Sequence, residues 1–288
     1  MKLCLFTNIF AKAPLEDAIR AAAKNRFAAV ELLVGWGANH LEHNTTEARV
    51  REIKRMTADA GLAVACIYTS LGSRAYLGAD PPSNRAEFDT LRSFCEKCKV
   101  LGCDLVRVGC GGLQAAAAGD DAAGRSADWL RGASEAAAPF GVRVVVKIHF
   151  GQMVETAPQA AEMAARVGRG NFGIIFDPGN MFIVGADYGE AAVKRLGKHL
   201  FHVHVKDIKR GELAASPFVA YGGHHFHGEF LGEGDVDYRI ALRAVARAGY
   251  AGYLSCECMK KDDPWETARR EAEALRRLLA EIAEPRQK

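Results

Sequence analysis

The sequence has no long hydrophobic run: none of its segments approaches the roughly 18 apolar residues that a membrane-spanning helix requires. The first residues, Met1 to Asn8, are apolar over too short a distance for a secretory signal, so we expect a cytoplasmic protein without a membrane partner. Excess charge of one sign is also missing, because 38 Lys and Arg residues face 35 Asp and Glu residues. Without a basic run, the composition gives no reason to expect a nucleic-acid partner.

A disulfide framework is not expected either. Eight cysteines in a chain of 288 residues without a secretory signal are typical of reduced thiols that serve as small core residues. Cys95 and Cys98 form a Cys-x-x-Cys motif, but it lies inside a helical pattern and no second such motif accompanies it. A zinc site at this motif is therefore disfavoured.

Segments with strand and helix patterns alternate along the chain. Strands are predicted at 2–8, 28–33, 62–68, 104–108, 142–149, 171–177, 199–206 and 252–257. Helices are predicted from Pro14 and at 45–60, 83–101, 124–140, 156–167, 188–196, 236–248 and 264–283. Eight such units indicate a parallel sheet that closes on itself, so the predicted fold is α/β, a single-domain (β/α)8 TIM barrel over residues 1–288. A doubly wound open sheet is the alternative.

The seventh predicted strand carries three ionisable side chains on one face. Successive strand residues point to opposite sides, so Val203 and Val205 share one face while His202, His204 and Lys206 share the other. In a parallel sheet that is covered on both faces, this row indicates either a functional site or a hydrogen-bonded polar interior.

Active sites of such barrels lie at the carboxyl ends of the strands. These ends carry a concentrated set of ligand and acid-base groups: Glu31, Arg107, Lys147, His149, Asp177, His204, Lys206 and Glu257. One imidazole and two carboxylates that converge on a pocket suit a divalent metal ion. We expect Mn²⁺, with Mg²⁺, Co²⁺ or Zn²⁺ as alternatives. A metal-free hydrogen-bond network is the other interpretation.

Four motifs at strand ends carry a family resemblance: Phe176-Asp-Pro-Gly-Asn180, His202-Val-His-Val-Lys-Asp207, Leu231-Gly-Glu-Gly-Asp-Val-Asp237 and Ser255-Cys-Glu257. With these motifs in this order, the chain resembles the xylose isomerase-like barrels. That superfamily includes sugar epimerases, inosose dehydratase and isomerase, hydroxypyruvate isomerase and endonuclease IV. The resemblance implies one divalent metal ion held by Asp177, His204 and Glu257, which chelates adjacent oxygens of a small sugar or cyclitol substrate.

The fifth strand departs from the family pattern. Similar proteins carry a glutamate ligand two residues before a histidine, whereas this chain has Lys147-Ile-His149. An ammonium group has no lone pair with which to bind a metal ion. Either the ion keeps three protein ligands, or Lys147 replaces part of its charge. The change also argues against a direct transfer of the epimerase mechanism, in which two facing glutamates move the proton.

The chemistry that these groups support is removal of a proton from the carbon next to a ketone. The predicted catalytic residues are His149 as the base, Glu257 as the second candidate for that role, and Lys147. Return of the proton to another carbon gives isomerisation or epimerisation, the function predicted first. Loss of a β-substituent gives a lyase or dehydratase that acts on a 3-keto-glycoside or inosose, and the single histidine base slightly favours this alternative.

Further side chains are predicted to contact the substrate. They are Glu31, Trp36, Arg107, Asn180, Lys206 and His227. Glu31 has an alternative role in orienting a ligand histidine, and Arg107 and Lys206 have one in neutralising a nearby acid. His227 lies in the long insertion 208–235, which either caps the pocket or forms a solvated loop. Homo-oligomer formation is left open.

Two competing functions fit the same fold. A DNA-repair enzyme of the endonuclease IV type needs several metal ions and a basic face, and both Lys147 and the net charge of +3 argue against it. An accessory barrel that binds without catalysing a reaction is consistent with the missing glutamate.

Overall fold

Eight parallel strands close into a barrel in the computed structural model, which describes residues 1–35, 37–38, 40–78, 82–112, 121–211, 219–260 and 262–283. The strands are β1 (Lys2–Phe6), β2 (Ala29–Leu33), β3 (Ala63–Tyr68), β4 (Leu105–Arg107), β5 (Arg143–Lys147), β6 (Phe172–Phe176), β7 (Leu200–Val205) and β11 (Tyr253–Cys256). They follow one another around the barrel in chain order, and β1 pairs with both β2 and β11 to close the ring. The predicted (β/α)8 TIM barrel is confirmed.

Helices cover the outside of the barrel. They are α1 (Leu15–Lys24), α2 (Glu47–Asp59), α3 (Pro82–Leu101), α4 (Ala122–Ala137), α5 (Ala157–Val167), α6 (Pro178–Ile183), α7 (Glu190–Leu196), α8 (Tyr238–Arg247) and α9 (Pro264–Ala283), with short 3₁₀ turns at Thr7–Phe10, Ala75–Leu77, Ala138–Phe140 and Gly197–His199. Local sequence sets these limits: α5 begins at a capping box of Thr156 and Gln159 and ends at Gly168, whose φ is 64°. Within the described ranges, no helix has both the length and the apolar character needed to cross a bilayer.

Helix α6 was not predicted. Asp177 caps its first turn and Pro178 occupies its first position, a combination that favours a helix start. With only six residues, however, the helix is too short to produce a recognisable apolar period. It matters for the site because Asp177 is one of the predicted metal ligands.

The insertion 208–235, predicted as a loop, contains an antiparallel sheet. Its strands are β8 (Asp207–Gly211), β9 (Val219–Tyr221) and β10 (His224–Glu229), in the order β8-β10-β9. Gly222 and Gly223, with φ of 58° and 77°, form the two-residue turn between β9 and β10. Positive φ at both positions is what a tight hairpin requires, and glycine adopts it without strain. The described residues of the insertion therefore form a sheet instead of an irregular loop, and its role in capping the pocket stays a prediction.

The alternation of side chains along β7 is confirmed. Val203 and Val205 are buried in the apolar layer between the barrel and its helices. His202, His204 and Lys206 are also buried, but their partners lie across the inside of the barrel. The polar row therefore lies on the inner face of the barrel.

A buried carboxyl group on α9, that of Glu271, gives a pH-dependent stability prediction. Its Oε1 accepts a hydrogen bond of 3.0 Å from the Leu231 backbone, and burial raises the pKa of the group from 4.5 to about 7. The protonated form is therefore favoured in the folded state. This contribution to the free energy of unfolding amounts to on the order of 3 kcal/mol. It is fully present below pH 4.5 and is lost as the pH rises through 7.

Glu271→Gln should remove that pH dependence because a neutral amide replaces the carboxyl group. We expect the variant to exceed the wild type in stability at pH 8 and to show a flatter profile between pH 5 and 8, measured by urea unfolding. Glu281→Gln changes an exposed acid on the same helix and should keep the wild-type slope. An unchanged slope in Glu271→Gln would contradict the prediction.

Candidate active site

Three side chains predicted to hold a metal ion converge inside the barrel. The ligand atoms of Asp177, His204 and Glu257 lie within 4.8 Å of one another, and all three residues are buried. Glu31, His202 and His204 form a second group that meets the same distance limit. Two carboxylates and one imidazole are the donor chemistry of a divalent-ion site, so the first group fits the ion that the sequence implied.

Asp177 is held in position by Asn180. The Asp177 carboxylate accepts hydrogen bonds from the Asn180 backbone N–H at 2.9 Å and from its side-chain amide at 2.8 Å. The same amide nitrogen donates to the carbonyl of Ile148 at 2.9 Å, which links the ends of β5 and β6. Asn180, predicted to contact substrate, is fully buried and orients Asp177, and its substrate contact stays a prediction.

Two lysines contact the same carboxylates. The Lys147 Nζ donates to both Glu257 oxygens at 2.9 and 3.0 Å and lies 3.6 Å from the Asp177 Oδ2. The Lys206 Nζ lies 3.3 Å from both Asp177 Oδ2 and Glu257 Oε2. Both lysines are buried. Of the two roles considered for Lys206, neutralisation of nearby acids is the one that these contacts match.

The charges of this cluster stabilise one another. Burial alone would raise the pKa of Glu257, but the ammonium groups of Lys147 and Lys206 hold it well below its usual range. Burial alone would likewise lower the pKa of Lys147, and Glu257 raises it instead. Glu257 and Lys147 are therefore both ionised at neutral pH, which makes Glu257 a weak proton acceptor.

Glu31 links the two inner-face histidines of β7. Its carboxylate accepts from His202 Nε2 at 3.1 Å, from His204 Nε2 at 3.2 Å and from the Ser255 hydroxyl. Burial alone would lower the pKa of His204, but Glu31 raises it. Glu31 is fully buried and contacts the Nε2 atom of His204. The other ring nitrogen of His204, Nδ1, therefore faces Glu257 and lies 3.1 Å from its Oε2. This geometry matches the predicted alternative in which Glu31 orients a ligand histidine.

His149 follows β5 and has the properties of a neutral base. Its Nδ1 lies 2.7 Å from the Phe150 carbonyl, so Nδ1 carries the hydrogen and Nε2 keeps its lone pair. Burial, followed by the charges of Lys147 and Lys206, lowers the pKa of His149 well below 6.5. The imidazole is therefore neutral at neutral pH.

The other residues predicted to contact substrate lie in different parts of the structure. Arg107, buried at the end of β4, donates to the Thr69 carbonyl at 2.7 Å, and in the described part of the chain no carboxylate forms an ion pair with it. His227 lies on β10, where its Nε2 is 3.9 Å from the Glu229 Oε1, and among the described residues no hydrogen bond or ion pair joins it to Asp177. Trp36 lies outside the described residues.

Sequence reasoning missed Tyr68, which forms one wall of the cluster. Its ring stacks on His204 with centroids 5.8 Å apart and lies 4.8 Å from the Phe6 ring. The Lys147 Nζ and the Arg107 guanidinium lie 5.2 and 4.4 Å from the centre of the same ring. Tyr68 is the last residue of β3, so the strand-end rule that found the other groups would have identified it.

Parts of the chain are similar in sequence to curated enzymes. The chain is 29% identical over 249 residues to 3-dehydroshikimate dehydratase of Pseudomonas aeruginosa, which covers 84% of the chain and 36% of that protein. It is 26% identical over 144 residues to inosose dehydratase of Lactiplantibacillus plantarum, covering 46% of the chain and 47% of the relative. The chain thus spans less than half the length of these curated relatives.

Solved structures share the fold over nearly the full chain. The probable 3-DHS dehydratase AsbF of Bacillus anthracis matches with a TM-score of 0.78 and 20% identity, covering 96% of this chain and 99% of that one. The IOLI protein, crystallised with a bound zinc atom, matches with a TM-score of 0.75 and 18% identity, covering 98% of each chain. A family model described as xylose isomerase-like TIM barrel matches residues 19–278. The chain belongs to the xylose isomerase-like TIM barrel family.

Proposed function

We propose that this protein is a dehydratase that removes water from a small cyclic ketone carrying hydroxyl groups. The observation that carries the proposal is the presence of one neutral base, His149, beside the Glu257 carboxylate, which two ammonium groups hold ionised. An epimerase takes a proton from one face of a carbon and returns it to the other, which requires an acid-base group on each side. Elimination of water requires only one.

The names of the two curated relatives described above support this choice. Inosose dehydratase and 3-dehydroshikimate dehydratase are both named for removal of water. Both named substrates are six-membered rings with a ketone and nearby hydroxyl groups. A substrate of this class, in place of an open-chain sugar, is therefore the expected partner.

The proposal includes one divalent metal ion, which Asp177, His204 and Glu257 would hold. When bound, the ion would polarise the ketone oxygen of the substrate and make the neighbouring C–H more acidic. Support comes from the mixed nitrogen and carboxylate donor set and from the zinc atom of the related IOLI structure. We expect Mn²⁺, with Mg²⁺, Co²⁺ or Zn²⁺ as alternatives.

The protein groups account for each proton in the reaction. His149 Nε2 accepts the proton from the carbon next to the ketone, and the electrons of that C–H bond form the new double bond. The bond to the β-hydroxyl group breaks at the same time, and the leaving oxygen takes the proton from the His149 imidazolium to depart as water. The ammonium groups of Lys147 and Lys206 stabilise the negative charge that develops on the leaving hydroxyl oxygen.

Incubation with a panel of ring ketones tests the proposal. The panel contains inosose, 3-dehydroshikimate and an open-chain ketose, each supplied with MnCl₂ and analysed by mass spectrometry. We expect a product lighter by one water from at least one ring ketone. Conversion of the ketose to an isomer, without loss of water from any ring ketone, would instead support the isomerisation that was predicted first.

A further inference from the structure

The inside of the barrel is already balanced in charge by groups of the protein. Among the described residues of the cluster, the ion pairs of Asp177 and Glu257 include two buried ammonium groups, those of Lys147 and Lys206. A divalent ion that enters this cluster therefore meets two positive charges within a few ångströms. Charges of like sign repel strongly where water is excluded.

Lys147 lies where the ion would bind. A divalent ion held by Asp177 and Glu257 must lie about 2.0 to 2.6 Å from an oxygen of each. The Lys147 Nζ is 2.9 Å from Glu257 Oε2 and 3.6 Å from Asp177 Oδ2, so it uses the same oxygens from nearly the same position. The ammonium group and the ion therefore compete for the same carboxylate oxygens of Asp177 and Glu257.

A second environment is available to Lys147. Its Nζ already lies 5.2 Å from the centre of the Tyr68 ring, within the distance at which an aromatic face attracts a cation. A small rotation of the flexible lysine stem toward this ring would release the carboxylates while keeping the charge partly stabilised. Lys206 has no aromatic ring at this distance among the described residues.

We propose that Lys147 is a built-in competitor of the metal ion: its ammonium group occupies Asp177 and Glu257 in the ion-free protein and must withdraw toward Tyr68 before the ion binds. This inference rests on the metal ion of the proposed function. Its consequence is weak, readily exchanged metal binding, in contrast to the tight binding expected of a cluster with a carboxylate at residue 147. Loss of the lysine charge should therefore tighten metal binding.

Titration of the metal-free protein with MnCl₂ tests the competition. Free Mn²⁺ is measured by electron paramagnetic resonance in the wild type, Lys147→Met and Lys147→Glu. We expect Lys147→Met to bind Mn²⁺ at least about tenfold more tightly than the wild type, and Lys147→Glu to bind it more tightly still, because it adds a ligand. Lys260→Met, which removes a lysine paired with Glu229 outside the cluster, should bind as the wild type does.

The outcomes separate this inference from the proposed function. If the wild type binds Mn²⁺ and Lys147→Met binds it equally or more weakly, the competition is overturned while the metal site stands. Absence of Mn²⁺ binding in all variants, Lys147→Glu included, would overturn the metal ion and with it the competition. The assay measures binding only, so a failure to dehydrate ring ketones does not affect its result.

A measurement on the wild type guards against misfolding of the variants. The side-chain ammonium signals of ¹⁵N-labelled lysine are recorded by NMR, and the Lys147 signal is identified by its loss in Lys147→Gln. We expect this signal to shift when Zn²⁺, which is diamagnetic, is added to saturation, because the ammonium leaves its carboxylate partners. A Lys147 signal that keeps its position at saturating Zn²⁺ would overturn the proposal.

Discussion

Replacement of His149 by alanine should lower kcat for dehydration by about 10²- to 10⁴-fold, the usual contribution of a positioned general base. The imidazole is held by the Phe150 carbonyl in the tautomer that leaves Nε2 as the proton acceptor. Glu257, the second candidate for the base, is held ionised by two lysines and is therefore a weak proton acceptor. Metal binding should be retained, since His149 is not among the grouped ligand residues.

His199→Ala is a matched control for this variant. His199 is also a partly buried histidine whose Nδ1 contacts a backbone carbonyl, that of Phe172 at 3.2 Å. It precedes β7 and therefore lies at the opposite end of the barrel. We expect wild-type kcat for His199→Ala. Equal activity of His149→Ala and the wild type would eliminate His149 as the base.

The pH profile gives an independent test of the same assignment. A base must be neutral to accept a proton, and burial together with the Lys147 and Lys206 charges lowers the pKa of His149 well below 6.5. The rate should therefore stay level as the pH falls from 8 to 6.5 and decline only in more acidic solution. A decline centred at or above pH 6.5 would contradict the assignment.

The sequence was sufficient to predict that the polar side chains of β7 share one face because strand alternation is a local property. His202, His204 and Lys206 are separated by single residues, so their common face follows from the geometry of one strand. The barrel then requires that face to point either into the lumen or toward the helices. Val203 and Val205 lie between these residues on the opposite face of the strand. Because the face that packs against the helices must be apolar, the valines face the helices and the polar side chains face the lumen.

The sequence could not reveal how the charges pair across the lumen. Glu31 and His202 are 171 positions apart, and Lys147 and Glu257 are 110 apart, so neither pair leaves a local pattern. The replacement of glutamate by Lys147 was visible, and two consequences were considered for it. That its ammonium would contact two of the three predicted ligands depends on side-chain lengths and on the width of the barrel, which only coordinates supply.

Smaller elements were missed for a different reason. Helix α6 spans six residues and β9 spans three, and neither is long enough to show a period. The Gly222-Gly223 pair is typical of a hairpin turn, but β10 contains glycine and histidine where β-branched residues are usual. Their stability depends on pairing with β8, which the local sequence does not indicate.

Glu257→Gln should have the largest combined effect on stability and metal binding. The carboxylate is buried and contacts Lys147, Lys206 and His204. An amide would leave two buried ammonium groups without this partner, and breaking such a pair costs about 3 to 5 kcal/mol. The free energy of unfolding, measured in urea with a chelator present, should fall by this amount.

The control for Glu257→Gln is a glutamate that forms an ion pair on the protein surface. Glu190 pairs with Arg247 at 3.0 Å with both side chains mostly exposed, so Glu190→Gln should cost less than about 1 kcal/mol. Metal affinity should fall in Glu257→Gln by at least the roughly 10- to 100-fold that loss of an outer-shell partner causes, because a ligand itself is removed. It should be unchanged in Glu190→Gln.

A double substitution distinguishes the lost ion pair from general disruption of the barrel. If the cost of Glu257→Gln arises from unpaired ammonium groups, removal of one of them should recover part of it. Lys147→Met combined with Glu257→Gln should therefore be more stable than Glu257→Gln alone, with a coupling energy of about 1 to 3 kcal/mol between the two sites. Additive losses would mean that Lys147 and Glu257 do not stabilise each other, and the electrostatic account of this cluster would then be wrong.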